Sequence, residues 1–308
     1  MKLTIRSPYK GLVIARKIRA VIDLVRPATL VAPIIGGTMA ALMGLVYTGS
    51  FKDFDILKLF FGVIALVILN GASNSFNQVT DYQIDKVNKP YRPLPKKVLS
   101  LKEAMWISII LYILAGVRAL FVSPTFFLIV VCLVLLTLVY SAEPFRLKNR
   151  LWLNNINIAV ARGGLGLLAG WAIFTPVNHV IIWACALVIT LYLVGMTVCK
   201  DFNDIIGDRK YGSKTLPVVY GKKVSMRLNL SLSAATTVLC FELWLLNIFN
   251  IIGVVLGMAY FFSSLSLIVI AEYRGTAEST LYENSWPWVW MYFMIGISYI
   301  IFFAMVFM

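Results

Sequence analysis

Residues 57–85 read LKLFFGVIALVILNGASNSFNQVTDYQID, an apolar run that ends in Asn77, Asp81 and Asp85. The run is long enough to cross a hydrocarbon core, which takes about 20 residues of helix. The tail carries a different signal. Positions i, i+4 and i+8 drift about 40° per step around a helix, so Asn77, Asp81 and Asp85 share one face. A membrane span that delivers a stripe of acids to one surface is therefore the unit from which the rest of the chain is read.

The same unit recurs. A second apolar run, 179–199, enters Asp201-Phe-Asn-Asp204-Ile-Ile-Gly-Asp208, with acids at i, i+3 and i+7. The two units lie about 120 residues apart, an echo that divides a single domain, 1–308, into spans one to four, spans five to eight and a ninth. Further runs fall at 24–47, 104–122, 124–141, 152–174, 226–247, 250–271 and 286–308. In lipid the backbone must satisfy its own hydrogen bonds, so these are expected as helices. The alternating ten-residue segments of a membrane β-barrel are absent. Composition agrees, with 60% apolar residues and a mean hydropathy of +0.85 over 308 residues. The expectation is an all-α integral membrane protein of nine transmembrane helices. No secretory signal is evident, since the basic N-terminal stretch leads into a full span.

A net charge of +14 could mean nucleic acid, but its placement says otherwise. Of 28 Lys and Arg, 24 fall in the N-terminal stretch through Arg26 or in the segments after spans two, four, six and eight, counting Arg227 at the first turn of span seven. This is the positive-inside pattern. It places the N-terminus and both acid clusters on the cytoplasmic side of the cell membrane, and the C-terminus outside. Anionic headgroups account for the charge, and nucleic acid is not expected as a partner. The four cysteines show no ligand spacing, and one histidine, His179, cannot build a zinc or haem site with a second.

Only 14 residues are acidic, and five of them lie in the two clusters. One cluster alone could be a solvated helix end. Two with matching phase on the same side would repel unless cations occupied them. Magnesium is the natural occupant, because it takes one or two carboxylates and completes its shell with water and phosphate oxygens. Lys86, Lys89 and Arg92 follow the first cluster. Lys200 precedes the second, with Arg209, Lys210 and Lys214 after it, and Tyr140-Ser141-Ala-Glu-Pro-Phe-Arg146-Leu-Lys148 lies between. Acids with several Lys and Arg suit a metal-diphosphate.

At these residues the chain resembles the UbiA superfamily of intramembrane prenyltransferases. The resemblance rests on N-x-x-x-D-x-x-x-D at 77–85 and D-x-x-D-x-x-x-D at 201–208. It extends to Arg26-Pro27-x-Thr29, Tyr140-Ser141 and the Gly207–Pro217 tail, and so to nearly the whole chain. It implies nine helices around a central cavity open to lipid. Two Mg2+ ions there would hold a polyprenyl diphosphate of geranylgeranyl type, whose chain passes to a lipophilic acceptor as diphosphate leaves. By the same resemblance Asn77, Asp81, Asp204 and Asp208 are the metal positions, with Asp85 and Asp201 supporting metal, diphosphate or loop cations. Lys200, Arg146, Lys148 and Arg26 are diphosphate or substrate contacts, and Tyr140 and Ser141 lie near the reacting end of the prenyl chain. Asp81, Asp204, Asp208 and Tyr140 would carry the catalysis.

One departure is Met196, where many members have a tyrosine four residues before the lysine. Acceptor signals conflict: IDKVNKPY resembles homogentisate prenyltransferases, whereas YRPLP and GDRKYGSKTLP resemble chlorophyll synthases and archaeal digeranylgeranylglyceryl phosphate synthases. The rival reading is a cation channel or transporter with an acid-lined cytoplasmic vestibule, since ionisable residues in spans mark such paths. Arg118 and Arg162 also interrupt apolar runs. Arg118 is near a span end and can snorkel. Arg162 is expected to face the bundle interior, paired with an acid or helix-end carbonyls and not lipid, with Gly163-Gly164 permitting close helix approach.

Overall fold

A computed structural model describes residues 9, 12–274 and 286–307. Its elements are helices and turns, and eight helices among the described residues are long and apolar enough to cross a membrane. Helix α1 (Val13–Val25) precedes the first of them, α2 (Pro27–Tyr47). Between them Arg26 adopts a left-handed φ of 58°, a conformation uncommon outside glycine. Pro27 then starts α2 at the position where proline costs a helix nothing. This turn is clamped from the next span, α3 (Ile56–Thr80). Asn74 donates to the Val25 carbonyl at 2.9 Å and to Thr29 Oγ1 at 2.7 Å, and Gln78 donates to the Leu24 carbonyl at 2.7 Å. The Arg26-Pro27-x-Thr29 motif is thus a rigid corner.

The first acid stripe behaves as its spacing predicts. Asp81 caps α3, and α4 (Tyr82–Asn88) continues from it. The Asp81 amide bonds the Asn77 carbonyl at 2.9 Å and the Asp85 amide bonds the Asp81 carbonyl at 2.8 Å, so the helical phase survives the cap. Helices α5 (Leu101–Leu120) and α6 (Pro124–Ser141) form the expected hairpin. Ser100 and Glu103 make a reciprocal capping box at the start of α5, and Ser123 caps α6 ahead of Pro124.

The fifth run departs from the expected regular span. It is built of α7 (Leu151–Ala159), a π-helical turn (Val160–Leu165) and α8 (Gly166–Trp171). Three glycines within 163–166 and the charge of Arg162 weaken a regular helix here, and close packing against neighbours holds the irregular one. A Cβ on Gly163 would lie 3.3 Å from the Thr190 backbone, and one on Gly170 would lie 2.7 Å from the Ala40 Cβ.

The second acid stripe is also less regular than its spacing. Helix α9 (Val180–Met196) tightens into a 3-10 turn (Thr197–Asp201), and α10 (Ile205–Lys210) begins afresh after Asp204. Acids sit poorly at the negative end of a helix dipole, so the helix gives way where they cluster. Helix α11 (Leu216–Leu245) starts about ten residues before the expected run and bends at Gly221, whose φ is 78°. Helices α12 (Ile251–Arg274) and α13 (Trp286–Phe307) complete the fold. The spans pack as a ring. From α2 the order is α3, the α5–α6 hairpin, α7–α8, α9, the α11–α12 pair and α13, which returns to α2.

Candidate functional site

The ring encloses one cavity, and the two acid stripes meet in it. Asn77, Asp81 and Asp85 line it from the end of α3 and from α4, and Asp201, Asp204 and Asp208 line it from the turn after α9 and from α10. Tyr140, Lys148, Lys200 and Arg26 line it too. Ser141 and Arg146 are not on its wall. They stand behind it: Asn77 donates to Ser141 Oγ at 3.3 Å, and Arg146 donates to Asp81 Oδ1 at 3.2 Å. Arg146 does so from a left-handed φ of 37°, a strained conformation for a non-glycine residue.

The acids are held by cations from other elements. Lys148 Nζ lies 2.6 Å from Asp81, Lys89 Nζ lies 2.5 Å from Asp204, and Arg92 Nη1 lies 2.7 Å from Asp85. Lys200 pairs with Asp201. Asp208 is buried, and its side chain makes no ion pair or hydrogen bond among the described residues. Burial, then Asp201 and Asp204, push its carboxyl up to about 8. Asp81 goes the other way. Burial by itself would raise it, but Lys148, Arg146 and Lys89 hold it below the usual carboxylate range. Burial lowers the Lys148 ammonium, which Asp81 offsets in part.

Three residues that organise this site stand outside the two acid motifs. Asn88 ties α4 to α10, donating to the Asp204 carbonyl at 2.9 Å and accepting from the Gly207 amide at 2.8 Å. Lys89 crosses the same seam. Asn154 of α7 accepts from the Tyr140 hydroxyl at 3.0 Å and donates to Asp201 Oδ2 at 2.8 Å, joining the tyrosine to the second stripe. A lone Asn or Lys has no spacing to read, and only Lys89 stands out in the sequence, as part of a basic run.

Oxygen donors of this kind suit a hard divalent cation. With the side chains placed as they are, no three acids among the described residues stand close enough to share an ion, because Lys and Arg hold them apart. The set still fits by its chemistry. Asp208 is a buried carboxyl that Lys200 and Lys89 act on only from beyond ion-pair distance, and the lysines neutralise acids that a cation would otherwise balance.

Arg162 sits in the π turn and lines the cavity, as expected of an interior-facing charge, but its partner among the described residues is the Tyr292 hydroxyl, to which it donates, and not the expected acid or helix-end carbonyl. Arg118 instead lies over Phe61, 4.4 Å from the ring centroid, with Phe60 at 5.6 Å.

Residues 36–294 match the model of the UbiA prenyltransferase family. The digeranylgeranylglyceryl phosphate synthase of Methanosphaera stadtmanae is 29% identical over 236 residues, 76% of this chain and 81% of that protein. That of Methanocaldococcus jannaschii is 33% identical over 213 residues, 68% and 71% of the two chains. A solved UbiA homolog from Archaeoglobus fulgidus, bound to GPP and Mg2+, superposes with a TM-score of 0.71. It is 21% identical over 94% of this chain and 98% of its own. A match on this scale leaves no place for the channel reading. The ring of membrane helices around an acid-lined cavity is the architecture of an intramembrane enzyme that moves prenyl groups, and the chain belongs to the UbiA prenyltransferase family.

Proposed function

We propose that the protein transfers a prenyl chain of geranylgeranyl type from its diphosphate to a lipophilic acceptor taken from the bilayer. The observation that carries this is the convergence of six acid or amide side chains, from two distant segments, on one cavity among the bundle helices. The Archaeoglobus fulgidus homolog bound to GPP and Mg2+ supports the same donor and cation.

Asn77, Asp81, Asp204 and Asp208 would hold two magnesium ions, which supply Lewis-acid stabilisation of the departing diphosphate. Lys148, Lys200 and Lys89 would then exchange carboxylate partners for phosphate oxygens and neutralise what remains, while Arg146, off the cavity wall, steadies Asp81 from behind. Asp85 and Asp201 keep Arg92 and Lys200 aimed at the cavity. In the transfer the C1–O bond of the donor breaks and its electron pair leaves with diphosphate. A nucleophilic atom of the acceptor bonds to C1 and loses its proton. Tyr140, fixed by Asn154, sits beside the carbon that carries positive charge, and the helical wall keeps out water that would capture it.

The helical segment 151–171 serves as a ninth span in this reading, short of a regular helix but long enough to cross. The distribution of basic residues places the N-terminus, α4 and α10 on the cytoplasmic side, and the last span ends outside. The whole chain acts as one domain, with spans one to four echoed by spans five to eight.

The test is turnover of labelled geranylgeranyl diphosphate by purified protein, with and without a chelator. The acceptor panel is headed by a prenylated glyceryl phosphate, the class named by the synthases of Methanosphaera stadtmanae and Methanocaldococcus jannaschii. Magnesium-dependent release of diphosphate is expected. Absence of both turnover and magnesium-dependent donor binding would refute the proposal.

A further inference from the structure

Arg162 is a cation at membrane depth, where charge is costly and marks function. It sits in a π turn, a distortion that recurs at functional sites. Among the described residues no carboxylate pairs with it. Its guanidinium donates Nη1 to the Tyr292 hydroxyl, and its Cζ lies 5.9 Å from the Tyr292 ring centroid. Tyr292 packs against Trp288 with centroids 4.0 Å apart and the rings tilted by 35°, and Arg26 Cζ lies 5.9 Å from the Trp288 ring. Two guanidinium groups therefore bracket one aromatic pair of α13, and all four side chains line the cavity.

A tyrosine hydroxyl occupies one of the five N–H donors of Arg162 and supplies no charge. The rest of the fork is suited to a planar or tetrahedral anion. That anion is not the donor's diphosphate, which has its own cations beside the acids. Asn154 touches Asp201 at the acid end, and Arg162 follows it by eight residues on the same segment, about 12 Å along a helix axis. The interval leaves the reacting carbons between the two charged ends, alongside Tyr140.

We propose that Arg162, oriented by Tyr292, receives the anionic head of the prenyl acceptor, a phosphate or a carboxylate, and thereby selects acceptors that carry one. The proposal rests on the prenyl-transfer reading given above. The acceptor's apolar part then lies against Gly36, Ile295 and Tyr299, which line the same cavity.

The experiment gives the protein labelled geranylgeranyl diphosphate and magnesium with two acceptor pairs. One pair is a prenylated glyceryl phosphate and the same lipid without its phosphate. The other is a hydroxyaryl carboxylic acid and its methyl ester. The wild-type protein should prefer one anionic acceptor over its neutral counterpart at least about tenfold in kcat/KM, a gap one charge-assisted hydrogen bond can supply. The pair that shows the preference separates phosphate from carboxylate. Arg162→Gln should raise the KM of that acceptor about 10–100-fold. The effect should fall on acceptor KM rather than on kcat or donor affinity. Arg162→Lys should recover part of the loss, and Tyr292→Phe should fall between. A purely structural role would instead lower thermal stability and depress charged and neutral acceptors alike. Equal use of charged and neutral acceptors by the wild-type protein, no turnover of either anionic acceptor, or an intact preference in Arg162→Gln overturns the proposal. Failure of the wild-type protein to bind labelled donor would strike the prenyl-transfer reading instead.

Discussion

Lys89 and Asp204, 115 positions apart in sequence, meet with Nζ 2.5 Å from Oδ1, and their contact joins the two acid-bearing segments across the cavity. Beside it, Asn88 bonds the backbone at both Asp204 and Gly207. Two segments with no shared helix are thereby held in one register.

Asn88→Ala removes two half-buried hydrogen bonds, each worth about 1 kcal/mol net, and frees α10 from α4. Donor affinity should drop about tenfold while the helical content by circular dichroism stays intact. Gly207→Ala should act in the same direction, because its Cβ would lie 2.5 Å from Asn88 Oδ1. Unchanged donor affinity in both variants would show that the seam does not position the acids.

Asn154→Ala separates Tyr140 from Asp201. It leaves a buried carboxylate short of one donor, at a cost of about 1–3 kcal/mol. Turnover should fall with a modest loss of thermal stability, and Tyr140→Phe, which keeps the ring, should be milder. An Asn154→Ala protein with normal turnover would remove this residue from the account.

The pH dependence follows from Asp208, whose carboxyl stands at about 8. A raised native value means the folded protein binds more protons than the unfolded chain between about pH 4 and 8. Over that window this group subtracts stability as pH rises. A divalent cation needs the carboxylate, so cation binding displaces the proton below pH 8. Apparent magnesium affinity should therefore climb with pH and level off near 8, and Asp208→Asn should flatten the climb. Asp81, held low by Lys148, Arg146 and Lys89, should contribute no slope in this range.

Much of this architecture is legible in the amino-acid sequence. The acid stripes, the apolar spans and the basic segments between them carry periodicity, and periodicity survives in a single sequence, whereas the closing of the spans around a cavity comes from the family resemblance. Asn88, Lys89 and Asn154 lie outside that periodicity, since what makes them important is a partner 47 to 119 positions away. The break at 160–165 is only half legible. Gly163-Gly164 announces close packing, but the π turn depends on Thr190 of α9 pressing against it. Ser141 and Arg146 are marked by motif, yet they act from behind the wall, through Asn77 and Asp81.

Topology is tested by cysteine accessibility at Lys52 and Lys210, both exposed and on opposite ends of their spans. Lys52→Cys should label from outside and Lys210→Cys only from the cytoplasmic side, with exposed Cys132 replaced first. Labelling of both from one side would overturn the assigned orientation.

In the proposed function the two stripes form a single cation-diphosphate site. The most direct measurement is equilibrium binding of labelled geranylgeranyl diphosphate to Asp81→Ala and Asp204→Ala, with and without magnesium, alongside thermal unfolding in detergent. Each variant should lose magnesium-dependent binding while remaining folded, with a lower thermal midpoint because Asp81→Ala strands Lys148 and Arg146 and Asp204→Ala strands Lys89. Near-normal magnesium-dependent binding in either variant would contradict a shared site.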